Sequence, residues 1–554
     1  MAWKLEIQGE WKARYVYYRQ NYRKKEGNSI WGVNRIYFGP MDVATEIMSD
    51  LLTKPLIDER LITYSGETIL GKIADSIGLT QVLEKYTNEK EANILRDIII
   101  LRALFNESKL GLVERILPNS VLRDEVDIEY VGKVYRSMDS IYDHLDELIY
   151  GLAKNAVKKY KLDLSYLAID GTGIKIYKDE ETGLVKFGYP LNGLPQVRLV
   201  LGVNKQHIPL LGKCYPGNTS DVEVFDDLVD GLDSKYKELT RRSKKKYVVF
   251  DQGNLNKKNV DHMRQYEDEK IFFVSLAKYA TAKGFIDKVD KSKLKLIYEN
   301  KISENNCTRI YGKSMKGSIY GKKCSILVCY NPDISLKKNK TLDRRIETVK
   351  NKVIEVNKLK KPNASDAVAL ISKYNLKRAM EVKGKKRFKL VVNNTEIDNR
   401  RKYFGFFVPF SNDLSLKENL IEIYKFRDVI EEGFRVLKTD MEIAPEHHGR
   451  DDRIETHNVL VVCGYSLLSI LRVILSAHGK KYSFSALKRL IISGYLNEGY
   501  CDHEHFKEKQ KRLWTMSPKG FRKELSAVFS SLKIRVPKFD MALCPQISRE
   551  MKDK

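Results

Sequence analysis

The chain has 554 residues, with 99 Lys and Arg against 73 Asp and Glu, a formal net charge of +26 and a pI near 9.4. That length holds several domains with real cores, and the charge calls for a polyanionic partner, nucleic acid or anionic membrane. Seven cysteines without a regular framework exclude a disulfide scaffold and fit reduced thiols. The longest apolar run, 459–471, is ended by Arg472 and is too short to cross a bilayer, so it predicts a buried helix. Residues 1–6 carry no apolar signal segment. The expectation is a cytoplasmic, nucleoid-associated chain with no membrane partner.

In chain order, residues 1–160 read as mostly helical after an irregular start rich in aromatic and basic side chains (Tyr15, Tyr17, Tyr18, Arg19, Arg23, Lys24, Lys25). Within them, 70–82 has the small-residue, turn-glycine and apolar spacing of a helix-turn-helix, a spacing that a plain helical pair shares. From about 163 to 275 the period shifts to strands. Residues 165–170 form an apolar run ending in Asp170 and followed by Gly171-Thr172-Gly173, which predicts a buried strand reaching a turn. Strands are also predicted over 195–204, 208–215 and 271–275. Residues 247–251 repeat the earlier pattern, an apolar run closed by Asp251 and then Gln252-Gly253. One such Asp is ordinarily a turn former or helix cap; two in the same arrangement are not easily dismissed.

Residues 411–475 hold a polar stripe. Tyr424, Arg427, Glu431 and Lys438 are spaced by three, four and seven residues. On one continuous helix they fall within an arc of roughly 60°. Ile423, Phe426, Val429, Ile430, Phe434 and Leu437 point broadly the other way. A carboxylate among two cations and a phenol suits a polyanionic substrate and a divalent metal, although a solvated charged face has the same look. Between Asp251 and Glu431 lie 180 positions, too many for one connection. An inserted domain over 276–410 is expected, with short strands at 308–311, 324–330 and 388–392 and a lysine-rich helix over 337–361. The region 476–554 reads as helical and basic.

The Tyr-x2-Arg-x3-Glu-x6-Lys pattern resembles the YREK signature of insertion-sequence transposases of the DDE class. Gly188-Tyr189, 194–197 and the Pro216-Gly217-Asn218-Thr219-Ser220-Asp221 loop resemble this family's blocks between its two Asp residues. Residues 430–438 resemble the block around its Glu, and 445–457 the segment that follows. The resemblance covers 165–275 and 400–475 and is loose elsewhere. It implies an α/β fold: a ribonuclease H-like core (161–275 and 411–475) interrupted by a β-rich inserted domain, with a helical N-terminal DNA-binding region over 1–160 and a helical C-terminal tail. It implies that Asp170, Asp251 and Glu431 are the catalytic, metal-holding acids, and that Tyr424, Arg427 and Lys438 contact DNA phosphates. Asn218 and Asp221 would support the acids or touch the strand; an Asx-type turn explains them equally well.

Two divalent ions held by shared carboxylates offset charge on the attacking and leaving oxygens of a phosphodiester. Mg²⁺ is the expected cofactor, with Mn²⁺ able to substitute, and no nucleotide is needed. The expected partners are double-stranded DNA, both element ends and target, and a second copy of the chain in the assembled complex. The implied activity is cleavage at terminal inverted repeats and joining of the 3′-hydroxyl ends to target DNA. A metal-dependent nuclease on the same fold and a domesticated, non-catalytic DNA-binding protein are the alternatives. Some relatives stack a flipped base on a tryptophan of the inserted domain. Here the tryptophans are Trp3, Trp11, Trp31 and Trp514, so Tyr298, Tyr311 or Tyr320 would have to serve.

Overall fold

The computed structural model describes residues 3–9, 14–23, 31–124, 128–188, 190–191, 193–224, 227, 245–303, 306–359, 361–384, 387–501, 503–507 and 511–545. The chain forms two compact units: Met1–Leu162 with Ile174–Val185 and Phe434–Lys554, and Asp163–Gly173 with Lys186–Gly433.

The first unit opens with an antiparallel sheet of β1 (Trp3–Gln8), β2 (Tyr15–Arg23) and β3 (Trp31–Pro40), where the sequence predicts an irregular lead-in. The tyrosines that mark this stretch as aromatic are strand formers. Val16, Ile36 and Phe38 close over Ala44 and Ile47 of the helix Met41–Thr53. Strand β4 (Ile57–Thr63) follows, and then helices Ser65–Ser76, Glu89–Leu104, Val131–Ser140 and Leu145–Tyr160. Residues 70–82 do fold as helix, turn and helix, with Gly78 in the left-handed conformation (φ +64°). The second helix is only Leu79–Leu83, and Leu79, Val82 and Leu83 are buried. At 1.5 Å per residue it is about 8 Å long. The segment is a packed helical pair.

The apolar run at 459–471 lies inside the helix Asp451–Ala477, with a mean hydropathy of 2.2 over its most apolar window. By length and composition alone it could cross a membrane, but 78% of that window is buried within the protein. It packs on the four N-terminal helices just named, so its apolar surface is satisfied by protein.

The second unit is built on one large sheet. Strands β5 (Tyr166–Lys175), β7 (Pro195–Asn204), β8 (Pro209–Pro216), β9 (Lys246–Phe250) and β10 (Ile271–Leu276) fall on the predicted runs, and the two-residue β6 (Lys186–Phe187) is an addition to them. Their order is β8-β7-β5-β9-β10, with β6 also on β7. Strands β5, β9 and β10 are parallel, and β7 and β8 antiparallel. Strand β9 is buried throughout and β7 almost so, as expected of strands covered on both faces.

The inserted region continues this sheet. Strands β11 (Lys295–Ser303), β12 (Asn306–Ile319) and β13 (Lys322–Tyr330) join it edge to edge. The hairpin of β14 (Met380–Lys383) and β15 (Lys389–Val392) stands apart, packing with the lysine-rich helix Pro332–Lys358 and the helix Ala364–Lys373 around Leu342, Ile346, Val349, Ile371 and Phe388. Strands β16 (Phe406–Phe407) and β17 (Pro409–Ser411) then return to the large sheet, β17 joining β13 to β10.

Back in the first unit, β18 (Tyr495–Cys501), β19 (Lys511–Lys519) and β20 (Asp540–Pro545) form a four-stranded sheet with β4. The expected helical tail is thus a mixture, with helices Phe484–Ile491 and Lys523–Ser531 beside these strands. In β19, Leu513 and Thr515 alternate with less buried neighbours, a period-two signal that its charged ends obscure.

One glycine fixes a loop geometry in the second unit. A Cβ on Gly217 would lie 2.1 Å from the Gln196 carbonyl oxygen and 2.6 Å from that of Lys186. Gly284, in the helix Tyr279–Ile286, has nothing within 4 Å. Gly217→Ala should therefore destabilise the protein by about 2 kcal/mol or more through overpacking against backbone. Gly284→Ala should be neutral or stabilising by about 0.5–1 kcal/mol. Chemical-denaturation midpoints of the two variants against wild type check both.

Candidate active site

Asp170 is not the last residue of its strand. Strand β5 runs on through Gly171-Thr172-Gly173 to Lys175, and these glycines serve close approach instead of a turn. A Cβ on Gly171 would meet Arg198 Nε at 2.9 Å and Val200 at 3.1 Å, and one on Gly173 would meet Gln196 Oε1 at 2.3 Å. Asp251 stands where the sequence puts it, directly after β9 and ahead of the short 3₁₀ turn Gln252–Asn254. Since β5 and β9 are parallel neighbours, with Ile169 opposite Phe250, the two acids emerge on adjacent strands.

Glu431 is on the helix Asp428–Arg435, and Tyr424 on Leu420–Lys425. The single helix expected here is interrupted at Phe426–Arg427. Hydrogen bonds from Arg427, Val429 and Ile430 each reach back three residues, at 3.1 Å, so the chain tightens into a 3₁₀-like joint. Past Arg435 the backbone widens into a π-helical turn, Val436–Asp440, closed by Met441 N–H to Val436 O at 2.9 Å. Lys438 sits on that turn, half-buried, and belongs to the first unit. Tyr424, Arg427, Glu431 and both aspartates belong to the second.

Arg427 is the centre of the arrangement. Its Nη1 lies 2.6 Å from Asp251 Oδ1 and its Nη2 donates to Glu431 Oε1. The guanidinium also lies 5.9 Å from the centre of the Tyr424 ring. Burial pushes the Tyr424 phenol up to about 12, helped by Asp251 and opposed by Arg427, so it is a neutral donor at any working pH. Asp170 is pushed up to about 6, chiefly by burial and also by the Asp251 charge. The Gly171 N–H, 2.8 Å from its Oδ1, and the charges of Arg427 and Arg198 pull the other way.

Two further groups support these acids. Arg198, inside β7, pairs with Asp221 and donates to the Thr219 carbonyl at 3.3 Å. It abuts Gly171, beside Asp170. A Cβ on Gly253 would lie 2.4 Å from Asp221 Oδ2, so the pair spans the space between the glycines that follow Asp170 and Asp251. Asp221 is therefore more than a turn former. Asn218 is exposed in the preceding turn, its backbone against Gly188. His207, in the β7–β8 turn, has Nε2 3.5 Å from Glu432 Oε2, next to Glu431. An arginine within an otherwise apolar strand was a legible sign of a buried partner; a turn histidine 225 positions from its carboxylate gave none.

All donors from Asp170, Asp251 and Glu431 are hard oxygens, and a cation, the Arg427 guanidinium, already sits between two of them. That donor set fits Mg²⁺ or Mn²⁺. Asp170 carries the cost of the metal-free state. Its folded pKa lies above the ordinary aspartate value, so the folded protein binds the proton more tightly than the unfolded chain and loses stability as pH rises from about 4 to about 6. Asp170→Asn should therefore stabilise the metal-free protein above pH 7, by about 2–3 kcal/mol at 1.36 kcal/mol per pH unit. The gain should vanish near pH 4. Denaturant unfolding at both pH values in a chelator checks the sign.

The Transposase DDE domain family matches residues 161–467, more than half of the chain and a span containing Asp170, Asp251, Tyr424, Arg427, Glu431 and Lys438. Among solved structures the chain is similar to piggyBac transposase in a cryo-EM synaptic complex with hairpin DNA. The identity is 9% and the TM-score 0.37, covering 77% of this chain and 77% of that one. No curated protein matches the chain. With its family match spanning all three acids, the chain belongs to the transposases with a DDE domain.

Proposed function

We propose that this transposase binds the terminal inverted repeats of its element, cuts a strand at each end and joins the freed 3′-hydroxyl ends to target DNA. The observation that carries this reading is the bridge of Arg427 between Asp251 and Glu431, with Asp170 on the neighbouring strand. The order β8-β7-β5-β9-β10, parallel over its last three strands, supports a ribonuclease H-like core. The family's divalent ion would be held by Asp170, Asp251 and Glu431. When bound, it offsets charge on the attacking and leaving oxygens of the phosphodiester.

The chain's own residues supply the rest. Arg427 engages DNA phosphate bidentately once its carboxylate partners are otherwise compensated. Tyr424 donates its phenolic hydrogen to a phosphate oxygen, and Lys438 adds a point charge along the strand. In the first step water attacks phosphorus, the P–O3′ bond breaks and the strand end leaves as a 3′-hydroxyl. In the second, that hydroxyl attacks a target phosphate and displaces the target's own 3′-oxygen. One ester replaces another, so no nucleotide is consumed. Acting on two ends calls for two copies of the chain, working on DNA in the cytoplasm at the nucleoid.

The test is a plasmid carrying the DNA that flanks the gene, incubated with protein and Mg²⁺ or Mn²⁺, with cut and joined products scored separately. Glu431→Gln should lose both by about a hundredfold or more while still binding DNA. Arg427→Gln should weaken DNA binding and reduce the log–log salt slope by about one. Cutting without joining would establish the nuclease instead. Binding without metal-dependent cutting in wild type would establish the non-catalytic DNA-binding protein.

A further inference from the structure

A second group of potential ligands lies in the first unit and includes none of the three acids above. Glu446, His448 and His457 each offer one donor atom, and these atoms lie within 4.8 Å of one another. Three parts of the chain bring them together. Glu446 is pinned to the segment after β5, its N–H donating to the Lys175 carbonyl at 3.0 Å and its carbonyl accepting from Tyr177 at 2.7 Å. His448 follows two residues later, and His457 is on the helix Asp451–Ala477. The imidazole rings meet edge to face, 5.5 Å apart.

Glu446 is 4% exposed and His457 7%. Glu446 Oε2 accepts from Asn458 Nδ2 at 3.2 Å, but Oε1 is buried without a hydrogen-bond partner and faces His448 Nε2 at 4.0 Å. A buried carboxylate oxygen left in this state is costly. The cation in contact with the group is Lys109, whose Nζ meets His457 Nδ1, while Arg102 and Arg453 act on Glu446 and His448 through charge alone. A cavity of about 390 Å³ adjoins it, lined by Asn106, Glu107 and Ser108 among others, with room to receive the lysine head group.

We propose that Glu446, His448 and His457 form a binding site for a divalent transition ion of the Zn²⁺ class, and that Lys109 holds the ion's place when it is absent. One carboxylate and two imidazoles are a borderline-soft donor set, chosen by Zn²⁺ over Mg²⁺. Donors at about 2.0–2.2 Å from the ion stand roughly 3.4 Å apart, so the side chains close by about an ångström on binding. A fourth position stays open toward the cavity. Occupancy ties the loop carrying Glu446 and His448 to the long buried helix.

The experiment uses untagged full-length protein in an Asp170→Asn/Asp251→Asn background, so that binding at the catalytic acids does not contribute and the outcome is independent of transposition. After chelator stripping, Zn²⁺ binding is measured by equilibrium dialysis, and Co²⁺ is added as a visible probe of imidazole ligation. One Zn²⁺ per chain is expected, with Co²⁺ d–d bands. His448→Gln and Glu446→Gln should each weaken binding about a hundredfold. Lys109→Met, which keeps all three donors, should tighten it about tenfold. Affinity unchanged in His448→Gln and Glu446→Gln, or no binding by either the background protein or its Lys109→Met variant, would overturn the site.

Discussion

Asp251 and Glu431 both reach Arg427 and Asp170 stands on the neighbouring strand, so the second unit brings like charges close and must offset their repulsion. Two like charges 4 Å apart cost about 4 kcal/mol at an effective dielectric constant of 20, a large share of a domain's stability. Arg427 answers part of this by bonding one oxygen each from Asp251 and Glu431. Asp170 receives no such bond from it, only the Gly171 N–H and longer-range charge. The repulsion and the burial therefore surface as a raised pKa at Asp170.

Placing an arginine between two acids demands a backbone that presents it correctly, and the joint at Phe426–Arg427 does so. A continuous helix would carry Tyr424, Arg427 and Glu431 on one face at fixed pitch. The tightened turn keeps them together while burying Phe426 and Ile430 beneath. Behind the two aspartates the requirement is steric. Gly171 and Gly253 leave space that Arg198 and Asp221 fill with a charge pair. Gly217 in turn lets the loop bearing Asp221 lie against backbone carbonyls. Small residues here are chosen for what lies against them, a role quite unlike that of a turn glycine.

That distinction decides how much was legible in the sequence. The strands of the second unit were readable because buried parallel strands are short, apolar and β-branched. Asp251 was readable because its strand ends where the acid begins. Asp170 looked the same from sequence, yet its strand continues past Gly173; neighbouring strands decide where a strand stops. The large sheet's extension through β11–β13 was equally hidden, since local periodicity reports strands but never their partners. In the first unit, β2 and β3 have enough aromatic content to be strands, but their charges mask the alternation. The tail joins its sheet through β18, which pairs with β4 more than 400 positions away, and no window of sequence holds that information.

The π-helical turn at Val436–Asp440 is the remaining departure from a regular helix, and its position has a physical logic. One extra residue in a turn shifts every later side chain by about 100° around the axis. Lys438 falls within that turn, so its direction is set by the widened backbone and not by the spacing that links Tyr424, Arg427 and Glu431. Burial holds its ammonium below the ordinary lysine range. Tyr424, Arg427, Glu431 and Lys438 thus divide into two groups. Arg427 and Glu431 are engaged with each other, and Lys438 stands on the widened turn beyond them.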